Sequence, residues 1–139
     1  MNDTSMEQLE LFDLRDRDWA LASWSENSFA VWVTEPDVLA GEYAGKQITK
    51  ALVTFRGVRL EQAITLEGEE ERRLTYSEAM DQFARYPMFV FSYYLFEKGC
   101  ELCGISDREP LALIFEYDSV TVQWDAFASP PVGRLLRMK

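Results

Sequence analysis

Residues Met88-Phe89-Val90-Phe91-Ser92-Tyr93-Tyr94-Leu95-Phe96 decide how this chain folds. The run is apolar on both faces whether drawn as strand or helix, and its aromatic and β-branched content selects a strand. Such a strand belongs in the middle of a sheet, covered by a helix on one side and by other elements on the second. A buried helix is the alternative reading. Nine residues broken by Ser92 fall short of the roughly 18 that span a bilayer.

Immediately before this run lies one amphipathic helix. Tyr76, Ala79, Met80 and Phe83 share a helical face, and Thr75 with Glu78 three residues later forms a capping-box pattern. Tyr86-Pro87 ends the helix, because a residue preceding proline is pushed out of the α region. Farther back, the pattern is strand-like. Trp19 to Ser25 and Ser28 to Thr34 flank a polar turn, Ile48 to Arg56 alternates up to Gly57, and Val58 to Leu66 can pair with Arg72-Arg73-Leu74 around a glutamate-rich turn. Thr34 to Gly41 reads as a short helical turn, and Gly41 and Gly45 bound a loop. After the central run, Leu111 to Tyr117 and Val120 to Trp124 read as a hairpin around Tyr117-Asp118-Ser119. These elements predict an α+β fold: a largely antiparallel sheet, one helix from about Tyr76 to Tyr86, and short helical turns. The 139 residues suit a single domain, with 130–139, beginning at Pro130-Pro131, as an extended basic tail.

The chain is acidic and aromatic at once, with a formal charge of −10, no histidine, and 14 % Phe, Trp and Tyr. That aromatic content supports a core, so the charge is displayed on a folded body. Residues 1–45 hold ten acids against Arg15 and Arg17, whereas Arg134, Arg137 and Lys139 make the tail basic. Such a body attracts cationic partners and opposes the polyphosphate that a nucleic-acid binder must neutralise. Its acidic, polar N-terminus lacks the pattern of a secretory signal, so a cytoplasmic protein is expected.

Composition removes most small-enzyme chemistry. Without histidine there is no Ser-His or Cys-His nucleophile and no histidine zinc site. Gly41-Glu42-Tyr43-Ala44-Gly45-Lys46-Gln47 has three residues where a phosphate loop needs four, ends in Gln, and places Glu42 against the phosphate. Asp13, Asp16 and Asp18 lack the spacing and central glycine of a calcium loop. A pair of carboxylates could still serve a glycosidase, but 24 acids single out no pair.

Gly99-Cys100-Glu101-Leu102-Cys103-Gly104 is the one local pattern with metal chemistry. Its Cys-x-x-Cys-Gly resembles one knuckle of a zinc-ribbon protein. The resemblance implies zinc bound through Cys100 and Cys103, but the second pair of ligands is missing. Two chains could supply two cysteines each, or Asp107 and Glu109 could complete the site. Redox use and plain reduced thiols in a turn are the other readings, the last requiring no cofactor.

An interface remains. Alternation should leave some of Trp19, Trp24, Trp32 and Trp124 facing outward beside acids, and an aromatic anchor ringed by carboxylates suits a protein-binding patch. We take Asp16, Asp18, Trp24, Glu26, Glu35, Asp37 and Glu42 as candidate partner-binding residues. The expected function is non-catalytic: neutralising a basic protein, such as a toxin or nuclease, in the manner of an immunity protein or inhibitor. A homodimeric regulatory or structural module with a cysteine-bound metal is one alternative. A phage-encoded inhibitor or nucleic-acid mimic is another.

Overall fold

The computed structural model describes residues 2–4 and 6–127. The expected basic tail, 130–139, lies outside them. Strand β1 (Asn2–Thr4) leads into a 3-10 helix (Met6–Leu11) and β2 (Phe12–Asp13), followed by β3 (Arg17–Ser25), β4 (Ser28–Thr34) and β5 (Asp37–Val38). Next come β6 (Lys50–Arg56), β7 (Arg59–Glu67), β8 (Glu70–Arg73) and helix α1 (Tyr76–Arg85). Strands β9 (Met88–Phe96), β10 (Gly99–Ser106), β11 (Glu109–Glu116) and β12 (Ser119–Trp124) complete the order. Ten strands form one sheet, β1-β12-β6-β4-β3-β9-β10-β11-β7-β8, and β2 pairs with β5. Every pairing is antiparallel, so the fold is α+β with a mostly antiparallel sheet and one α-helix among the described residues.

Strand alternation builds the core. Register aligns Phe29, Phe55 and Val120 in one row across β4, β6 and β12, and Val31, Val53 and Val122 in the next, all buried. The rings of Phe29 and Phe55 also meet Phe115 of β11, at centroid distances of 5.3 and 5.1 Å. Because β11 lies four places from β4 in the sheet order, the sheet must curl until its inner faces touch. Helix α1 contacts both β3 and β7, and it buries Ala79, Met80 and Phe83 in the same core. Its ends are tied to opposite halves of the sheet. The Tyr76 hydroxyl donates to the Ser28 carbonyl, and Ser106 Oγ donates to the Tyr86 carbonyl, each at 3.0 Å.

The capping box is formed. Glu78 N–H donates to Thr75 Oγ1 at 3.2 Å, and Thr75 N–H donates to Glu78 Oε1 at 3.0 Å. The Thr75 backbone N–H, then the Thr75 hydroxyl and Arg72 at 2.8 Å, hold the Glu78 carboxyl below its ordinary range.

Four expectations need correction. Thr34 to Gly41 is not a helical turn: Glu35 takes a left-handed φ of 44°, and Asp37–Val38 pairs with Phe12–Asp13. Leu111 to Tyr117 and Val120 to Trp124 are strands but not a hairpin, since β11 pairs with β10 and β7 while β12 pairs with β6 and β1. The reason is a crossing. Buried Tyr117 packs on Phe55 at 5.2 Å, and Asp118 N–H donates to the Arg56 carbonyl at 2.8 Å, which turns the chain toward β6. Third, β9 is central in the sheet but covered on one face only. Fourth, Gly99 to Gly104 is a strand rather than a turn.

Candidate interaction surface

The seven candidate residues fall into two groups. Because Trp19 stands opposite Val33, Asp16 and Asp18 lie at the same end of the β3–β4 hairpin as Glu35. Asp37 joins them through Arg17, whose Nη2 donates to its Oδ2 at 2.9 Å, and Glu42 follows in the exposed loop after β5. Trp24 and Glu26 sit at the other end of the hairpin, a strand length of roughly 23 Å away at ~3.3 Å per residue. One surface cannot centre on both.

Within the first group the acids differ. The Asp37 carboxylate is occupied by Arg17 and, at 3.1 Å, by Gln47 Nε2, so it latches β5 and its loop to β3. Asp16, Asp18, Glu35 and Glu42 are exposed and form no salt bridge among the described residues. Backbone geometry fixes two of them. Asp16 (φ 55°) and Glu35 (φ 44°) are left-handed turn residues, and Asp16 N–H donates to the Val90 carbonyl at 2.7 Å. The backbone that carries these two carboxylates is therefore set by the fold.

The tryptophans divide as well. Trp19 and Trp124 are buried, the former donating its indole N–H to the Leu14 carbonyl at 2.9 Å. Trp32 lies outward, with Lys50 Nζ 4.4 Å above its ring. Trp24 faces inward after a bulge at Ala22, but at the open end of the sheet, edge-on to Tyr76 at 6.0 Å.

The structure adds an apolar surface absent from the candidate list. On the outward face of β9 and β10, Phe89 is 43 % exposed, Phe91 50 %, Tyr94 63 % and Ile105 45 %. Register places Asp18, Phe89, Ile105 and Pro110 in one cross-strand row, and Tyr94, Glu101 and Ile114 in another. The bulge in β9 explains the density of this patch. Val90 pairs with Gly104 and Ser92 with Cys103, so Phe91 is the extra residue between them. Gly104 permits it, since a Cβ there would run into the Phe89 carbonyl oxygen and the Met88 side chain. Continuous apolarity in the sequence had implied cover on both faces, whereas the second face is bare.

The two cysteines point to opposite sides of β10. Cys100 is fully buried opposite Leu95, and Cys103 is partly exposed on the outward face between Ser92 and Ala112. Residues three apart on a strand cannot turn both sulfurs to one ion while the strand stays paired. Burial pushes both thiols above their ordinary range, Cys100 the more deeply. No group of three or more Cys, Asp or Glu side chains able to share a metal occurs among the described residues. Near the crossing, Glu61 shares a hydrogen bond with Glu116 that raises its carboxyl above the usual range, while Arg59 bridges Glu116 at 3.5 Å and Asp118 at 2.9 Å.

No described helix is long and apolar enough to cross a membrane. Comparison with protein-family models, with curated proteins and with solved structures finds no match.

Proposed function

We propose that this chain is a non-catalytic cytoplasmic binding protein that occludes a basic protein partner, of the toxin-immunity or inhibitor kind. The observation that carries the reading is the set of unneutralised carboxylates Asp16, Asp18, Glu35 and Glu42 at one end of a rigid hairpin, in a chain of net charge −10. Fixed carboxylates on a folded frame steer a cationic protein to one side of the molecule and raise its association rate. Asp37 serves this surface indirectly, by holding the loop that carries Glu42.

The test is kinetic. With the partner isolated by capture, replacing Asp16, Asp18, Glu35 and Glu42 together by Asn or Gln is expected to slow association about tenfold or more at low salt, and to have little effect at high salt. Association at the unmodified rate would remove this end of the hairpin from the interface.

A further inference from the structure

Steering charges bring a partner close but do not hold it, because an exposed ion pair contributes little to affinity and salt screens it. A lasting complex needs an apolar contact. Phe89, Phe91, Tyr94 and Ile105 are the largest apolar side chains grouped on one outward strand face, and two of them stand directly opposite acids: Phe89 beside Asp18, and Tyr94 beside Glu101. Asp18 thus belongs both to the acidic end of the hairpin and to the border of the apolar face.

We infer that the outward face of β9 and β10 is the anchoring half of the interface, and that its occupant is an amphipathic basic segment of the partner protein. Its apolar side chains seat over Phe89, Phe91, Tyr94 and Ile105, and its lysines or arginines reach Asp18 and Glu101. This inference rests on the proposed function and adds to it the place and chemistry of the contact.

Area and charge select that occupant over a second copy of the chain. Four side chains, each about half exposed, offer roughly 300–400 Å² of apolar surface. A standard interface buries about 800 Å² per partner, so about half must come from the surrounding rim. That rim carries Asp18 and Glu101. A cationic segment complements it, whereas a second copy would press like charges together between two bodies of net charge −10 each.

Cys103 lies within this face and Cys100 beneath it, so one molecule holds a reporter and its internal control. Two synthetic peptides of equal charge serve as probes, an amphipathic lysine–leucine helix and the same sequence with serine replacing leucine. Affinity and the rate of Cys103 alkylation are measured with each. The lysine–leucine peptide is expected to bind at least tenfold tighter than the lysine–serine peptide and to protect Cys103. Phe89→Ser combined with Tyr94→Ser is expected to abolish that preference while Cys100 stays unreactive. If the double variant exposes Cys100, the single variant Ile105→Ser decides by the same comparison.

Equal affinity for the two peptides with Cys103 unprotected would overturn this inference and leave the acidic reading standing. Failure of both peptides to bind at low salt would overturn the acidic reading as well. A dimer in sedimentation, with Cys103 protected in the absence of peptide, would assign the face to a second copy and overturn the cationic occupant.

Discussion

One sheet presents two outward faces, and they are finished differently. Over β3, β4, β6 and β12 the outward positions include Ala20, Ala30, Trp32, Leu52, Thr54, Thr121 and Gln123, small or polar apart from Leu52 and Trp32, and Lys50 roofs the Trp32 ring at 4.4 Å. Over β9 and β10 the alternation, shifted once by the bulge at Phe91, delivers Phe89, Phe91, Tyr94 and Ile105, with no described element laid over them. Both faces back onto one core through one curled sheet. Buried side chains lie beneath both, Val31 and Val53 under one and Met88, Val90 and Leu102 under the other, although the inward Tyr93 hydroxyl of β9 is buried with no hydrogen-bond partner among the described residues. Under the function proposed above, the bare face is the part left for the partner to cover.

The largest effect that sharpens this contrast lies beneath both faces. Phe115→Ala removes a ring that meets Phe29, Phe55 and Tyr117, and it is expected to cost about 3–5 kcal/mol in a denaturant titration. Phe91→Ala, the same chemical change on the bare face, is expected to stay within about 0.5 kcal/mol. A large loss for Phe91→Ala would make that face part of the folding core and break the contrast.

Gly104→Ala should have an intermediate effect. The added methyl meets the backbone at the β9 bulge, with an expected cost of about 1–3 kcal/mol and altered amide signals around Phe91 by NMR. An unchanged spectrum at full stability would mean that the bulge does not depend on this glycine. A smaller cost than at Gly104 is expected for Lys50→Ala, which uncovers Trp32 and makes the finished face resemble the bare one. The loss of the cation–ring contact is expected to cost about 0.5–1 kcal/mol and to shift tryptophan fluorescence. Probe binding at β9 and β10 should not change.

Local chemistry was readable from the sequence, and long-range choices were not. Thr75, Glu78, the stripe Ala79, Met80 and Phe83, and Tyr86-Pro87 located helix α1 because capping and periodicity act within a few residues. Most of the long strands were legible for the same reason, but β10 and β5 were not, since one reads as a cysteine turn and the other as part of a helical turn. Whether β11 and β12 pair with each other depends on Tyr117 finding Phe55, more than sixty residues earlier, and no local pattern encodes that meeting. The bare face of β9 has no local signature, because an apolar strand reads alike whether its second face is covered or open. Of the candidate site, the acids at Asp16, Asp18, Glu35 and Glu42 were visible as a charge bias. Their separation from Trp24 and Glu26 follows only from hairpin register. In the Cys-x-x-Cys segment the odd spacing carried the decisive information once the segment was a strand, since it sends the two thiols to opposite sides.

The crossing at Tyr117-Asp118 also constrains how the protein comes into being. Strand β6 waits for β12, and among the described strands β1 pairs with β12 alone, so the first half of the sheet gains its last neighbours from residues near the end of the described chain. During synthesis, β6 stays an open edge until β12 has left the ribosome, and a chain halted before Ser119 would expose that edge to other nascent chains.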